Sequence, residues 1–114
     1  MNLSLSSEMV GDRRVLDVAG EVDVYSAPSL RERVTALLQP ESMHLVVDLT
    51  RISFIDSTGL GVLVAGQNRA GELGGGLSLV CQQERVLKLF RITGLDQVFA
   101  IFPTLPEALA ASTS

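Results

Sequence analysis

A chain of 114 residues with 46% hydrophobic and 19% charged side chains can bury one core, is too short for two domains, and is too apolar for disorder. Nine Lys and Arg against 13 Asp and Glu give a net charge of −4, and aromatics are 4% with no Trp, so the basic footprint and stacking platform of a nucleic-acid binder are both missing. One cysteine, Cys81, excludes an internal disulfide, and one histidine, His44, leaves no Cys/His set with zinc spacing.

Leu3-Ser4-Leu5-Ser6 alternates apolar and polar, as a half-buried strand does, and Arg13 to Ala19 reads as its partner. Val10-Gly11-Asp12-Arg13 supplies the turn chemistry of a hairpin, which Gly20 is expected to end. The period then changes. Ser26 is a candidate helix N-cap, with Pro28 in the first turn, and Leu30, Val34, Leu37 and Leu38 share one helical face until Pro40. His44 to Leu49 is a β-branched strand, expected to be central and to run into a short loop. A second helix is predicted from near Ser57 to Gly71, burying Leu60, Leu63 and Val64. Beyond the Gly74-Gly75-Gly76 turn, Leu77 to Cys81 is a short strand. Val86, Leu89 and Phe90 mark a third helix closed by Gly94 at its C′ position. Val98 to Phe102 is a last strand and Pro103 to Ala111 a terminal helix, with Ala111 to Ser114 expected to fray. An opening hairpin followed by alternating helices and strands specifies the α/β class: a mixed sheet, parallel after the hairpin, covered by about four helices over residues 1–114.

The start, Met1-Asn2-Leu3-Ser4-Leu5, lacks the basic-then-apolar order of a secretory signal. The longest apolar stretch, Gly59 to Gly66, is far below the roughly 20 residues that span a bilayer. The expectation is a soluble cytoplasmic protein without a membrane span.

Asp48 to Gly61 is the unusual segment. Asp56, Ser57 and Thr58 stand where the first backbone N–H groups of a helix lack partners, and Asp56 or Ser57 can accept from them. Position 60 is Leu, so Ser57 has no capping box. Gly59 and Gly61 each cost about 1 kcal/mol against Ala within a helix, and they are expected to let another surface approach the backbone. Catalytic readings fail on inventory. Ile55, not Gly, stands two before Ser57, so no nucleophile elbow forms, and His44 fits a surface or edge residue rather than a base. No Gly-rich loop with the Lys of a phosphate cradle occurs, and Asp56-Ser57-Thr58-Gly59 has one residue too many for an aspartic protease. The chain is not expected to be an enzyme.

Gly20-Glu21-Val22-Asp23 with Ala27-Pro28-Ser29-Leu30, Val46-Val47-Asp48-Leu49, and Phe54-Ile55-Asp56-Ser57-Thr58-Gly59-Leu60-Gly61 resemble the STAS domain of bacterial anti-sigma factor antagonists, with Leu87, Phe90 and Gly94-Leu95 in support. The resemblance covers nearly the whole chain. It implies a single STAS-type domain that, unmodified, binds a serine-kinase anti-sigma factor and frees the sigma factor. The kinase then uses ATP and Mg²⁺ to phosphorylate Ser57, the antagonist lets go, and a serine phosphatase restores it. By the same resemblance Asp56, Thr58 and Gly59 shape the phosphoacceptor loop, Asp23 lies in the neighbouring docking loop, and Leu60 and Gly61 complete the partner surface. The chain itself needs no cofactor. A phosphoserine adds a charge of about −1.5 to −2. At about 6 Å and an effective dielectric near 20, each like-charge pair costs roughly 3 kcal/mol before screening. Two rival readings are a scaffold subunit of a transporter, for instance in lipid transport, and a small-ligand sensor near Gly59 and Gly61.

Overall fold

Gly11 takes a φ of +65°, a left-handed conformation without steric cost for glycine, and closes the predicted hairpin. β1 (Leu3–Val10) runs antiparallel to β2 (Arg13–Val22) in unbroken register from Leu3–Gly20 to Val10–Arg13. This computed structural model describes residues 3–111, so the expected tail lies, beyond Ala111, outside the described residues. Both strands outrun their predicted ends. Ser6, Ser7 and Glu8 interrupt the alternation because β1 is exposed on both faces there. Among the described residues the β1–β2 ladder ends at Gly20, as expected, but β2 itself runs on beside β3 through an irregularity to Val22, with Gly20 at φ +104°.

Next come α1 (Ala27–Leu37), β3 (His44–Ile55), α2 (Ser57–Glu72), β4 (Gly76–Val80), α3 (Glu84–Ile92), a 3-10 turn at Leu95–Gln97, β5 (Ile101–Phe102) and α4 (Leu105–Ala110). The strands lie in chain order, β1 to β5, antiparallel once and parallel thereafter. Sequential parallel strands joined by crossovers of one hand put α1, α2 and α3 on the same face. There Leu16, Val47 and Leu79 of the sheet bury against Leu30 of α1, Leu63 of α2 and Phe90 of α3. Phe99 meets Phe90 edge to face, with ring centroids 5.9 Å apart. On the other face Val15, Val46 and Val80 lie under Ala108, with Leu105 and Leu109 beside them. The apolar stripe of α4 is therefore used inside the chain. Two predicted elements shorten: residues 98–100 follow the 3-10 turn without becoming strand, leaving only Ile101–Phe102 as strand, and α4 begins after Thr104, whose hydroxyl accepts from the Glu107 N–H. No helix among the described residues is long and apolar enough to cross a membrane.

β3 departs most from expectation. It does not stop at Leu49 but continues as strand to Ile55, with no intervening loop. Register passes from Asp17–Asp48 to Ala19–Arg51, and from Gly20–Ile52 to Glu21–Phe54, so β3 carries one extra residue at each step. These two bulges stretch the spacing of buried residues from two, at Leu45, Val47 and Leu49, to three, at Ile52 and Ile55. Asp48 Oδ1 accepts from the Thr50 N–H and hydroxyl, closing an Asx turn at the first bulge. β4 pairs with β3 only as far as Asp48–Val80. Past that point Gln83 Nε2 donates to the carbonyls of Thr50 (3.2 Å) and Ile52 (2.7 Å), and Arg85 Nη2 to that of Ser53 (2.7 Å). Side chains from the start of α3 thus replace a neighbouring strand.

Candidate functional site

The long β3 delivers Asp56 to the carboxyl end of the sheet in extended conformation, φ −113° and ψ −173°. Asp56 Oδ1 accepts from the Thr58 N–H (3.0 Å) and the Gly59 N–H (3.2 Å). Asp56 is thus the cap of α2, and the Ser57 hydroxyl is free of that duty. Ser57 is the first helical residue and is exposed, as is Thr58.

The two glycines serve different ends. A Cβ on Gly59 would fall 2.5 Å from Val22 Cγ1 and 2.8 Å from Ile55 Cγ1, so close packing inside the domain requires glycine there. Gly59 is buried, which corrects its reading as an open approach for another surface. Leu60 is also buried and packs in the main core, so its side chain adds nothing to a partner surface. Gly61 is exposed, with nothing within 4 Å of where a Cβ would stand. Within α2, Val62 joins Leu60 and Leu63 as fully buried, while Val64 is only half-buried.

A second loop joins the site where the Asp56 N–H donates to the Val22 carbonyl at 3.1 Å. Asp23, half-buried, accepts on Oδ1 from the N–H groups of Tyr25 and Ser26, both at 3.0 Å. The Ser26 N–H, opposed by partial desolvation and aided by the Tyr25 N–H and the Ser26 hydroxyl, holds the Asp23 carboxyl below its ordinary range. Ser26 is buried and does not cap α1 through its side chain. Its hydroxyl donates to the Glu21 carbonyl (2.7 Å) and accepts from the Asp23 N–H (2.9 Å). These bonds tie the loop to the end of β2, and Val24 and Tyr25 project into water. Val24, Ala27 and Pro28 on one side and Thr58 and Val62 on the other line an open, mainly apolar groove running from the site between α1 and α2. Sequence reasoning did not trace this groove, although Val24, an apolar residue in the loop, was a signal of it.

The arrangement offers a hydroxyl without a catalytic partner. His44 starts β3, at the opposite end of the strand from Asp56, in a central rather than an edge strand. Cys81 is buried just past β4, and burial pushes its thiol pKa up. Among the described residues no group of three His, Cys, Asp or Glu could hold a metal ion.

The STAS domain model matches residues 5–108. The chain belongs to the STAS domain family. It is 39% identical over 101 residues to the anti-sigma-B factor antagonist of Bacillus subtilis, covering 89% of this chain and 92% of that protein. An anti-sigma factor antagonist from Mycobacterium paratuberculosis has the same fold with a TM-score of 0.87, at 30% identity, covering 95% of this chain and 92% of that one. The Bacillus cell fate determinant SpoIIAA in its phosphorylated form matches with a TM-score of 0.72, at 25% identity, over 93% of this chain and 96% of that one. As the order of elements predicted, the sheet is mixed, opened by a hairpin and covered by four α-helices.

Proposed function

We propose that this STAS domain is an anti-sigma factor antagonist that binds a serine-kinase anti-sigma factor while Ser57 is unmodified and releases it once Ser57 is phosphorylated. The observation that carries the reading is Ser57 itself, exposed at the first position of α2 with the capping duty taken by Asp56. The names of the relatives and the phosphorylated form of SpoIIAA support it. The chain acts as a substrate and ligand rather than as an enzyme. Ser57 Oγ attacks the γ-phosphorus of ATP held by the kinase, its proton passes to a base of the kinase, and ADP leaves. A serine phosphatase hydrolyses the ester and restores the hydroxyl.

The local geometry makes the charge consequential. Asp56 already occupies the N–H groups of Thr58 and Gly59, so an incoming phosphate finds those two donors taken and a carboxylate beside it. Attraction to the start of α2 returns about 0.3–1 kcal/mol, less than the roughly 3 kcal/mol by which a like charge at about 6 Å opposes it before screening. The new charge stays at the surface, where a docked partner must accommodate it. Gly61, Asp23 and the groove beside Thr58 form the remainder of the docking surface, with Gly59 and Leu60 supporting it from beneath. The setting is cytoplasmic, where sigma factors act.

The test is a phosphorylation assay with the cognate anti-sigma kinase and Mg-ATP, read by intact mass and peptide mapping. Wild type gains one phosphoryl group on the peptide holding Ser57, whereas Ser57→Ala gains none and stays bound in the presence of ATP. Incorporation into Ser57→Ala at the wild-type rate would overturn the assignment.

A further inference from the structure

The outer edge of β1 is open. Among the described residues β1 pairs only with β2, and its register has no bulge. Over Leu3–Val10 there is no Pro, Lys or Arg, and Glu8 is the one charge. Long edge strands usually carry such features to prevent pairing with other chains, whereas β5, the opposite edge, has only two residues to offer. The side chains of β1 alternate. Leu3 and Leu5 lean on the core beneath α1, with Ser7 and Met9 on the same face, and Val10 packs on the α4 face. Met9 is 52% exposed at one end of the strand. At the other end Leu3 and Leu5 line a recess with Tyr25, Ser29 and Arg33, and Tyr25 is 80% exposed. A projection and a recess at opposite ends of one strand are self-complementary about a two-fold axis through its middle.

We infer that β1 pairs antiparallel with β1 of a second copy of this chain, the axis passing at Ser6, so that the two sheets become one. Leu3 then faces the partner's Met9, Leu5 the partner's Ser7, and Ser4 the partner's Glu8, which keeps the two carboxylates apart. Each Met9 leaves water for the recess of Leu3, Leu5 and Tyr25, where a flexible thioether packs well beside an aromatic ring. Main-chain hydrogen bonds along Leu3–Met9 supply the affinity. A contact of this small area makes a reversible dimer, with dissociation at about 10–100 µM.

Sedimentation equilibrium of the full chain from about 5 to 200 µM tests this range. Wild type is expected to pass from monomer to dimer. Ser6→Lys and Ser6→Glu, each with a wild-type thermal melt because Ser6 is exposed, are expected to stay monomeric alone, since like charges meet at the axis. Their equimolar mixture is expected to dimerise, and Met9→Gln to weaken self-association by about tenfold. A wild type that remains monomeric at the highest concentration overturns the inference. So does a mixture no more associated than either variant, a Ser6→Lys protein that dimerises more tightly than wild type, or a Met9→Gln protein as associated as wild type.

Discussion

Gly59 shows how little room the site leaves a single atom. A methyl group placed there meets Val22 and Ile55 well inside contact distance, and both belong to strands that cannot recede without disturbing the sheet. Gly59→Ala is expected to lose about 1–3 kcal/mol, the usual result of overpacking, despite the better helix propensity of alanine. Chemical denaturation with an unchanged m-value would register it, whereas Gly61→Ala should be neutral or slightly stabilising because its surroundings are open. Asp23 contributes in another way. Its carboxyl is held below the ordinary range by N–H donors, so the folded state binds its proton less readily than the unfolded chain. The sign follows from linkage: this contribution is present above the ordinary carboxylate pKa and disappears as pH falls through the lower folded value. Acid titration followed by NMR should show Asp23 titrating below an exposed aspartate, with the Tyr25 and Ser26 amide signals moving together. Asp23→Asn should remove that titration.

At the level of elements, α2 starts where it does because β3 hands it a carboxylate in extended conformation. Asp56→Ala removes the acceptor for two N–H groups and should destabilise by about 1 kcal/mol, with Asp56→Asn and Asp56→Ser recovering most of it, by denaturant titration. The sequence pointed to Asp56 and Ser57 equally, since both are good caps and only backbone conformation separates them. It located the start of α2 well, because Ser57 to Gly71 carries an unbroken helical period. It failed along β3 for an equally physical reason. Two inserted residues turn an alternation of two into steps of three, so Thr50 to Ile55 loses the pattern by which a strand is read. The donors that sustain this stretch, Gln83 and Arg85, are about 30 residues away in the chain, beyond any local signal. Gly59 was noticed for the right residue type but the wrong cause: close approach does occur, from Val22 and Ile55 beneath.

Across the whole molecule, the order of helices and strands made the class legible, because sequential parallel strands leave few ways to cover a sheet. What chain order could not reveal was the division of labour between the faces. Three helices share one and α4 alone closes the other, through small contributions from Ala108, Leu105 and Leu109. The proposed switch sits on the rim of this frame rather than in it. Ser57→Asp is accordingly expected to melt within a degree or two of wild type while binding the anti-sigma partner less tightly, by about a hundredfold for each 2.7 kcal/mol lost. Calorimetry of binding beside scanning calorimetry of the domain separates the two effects, and unchanged partner affinity would count against the charge argument.

Cys81 turns this architecture into its own clock. The only sulfhydryl of the chain is sealed between the end of β4 and the core, so an alkylating reagent must wait for the sheet to part. The labelling rate of the native protein should therefore report how often the interior breathes, and it should slow when a partner clasps the rim.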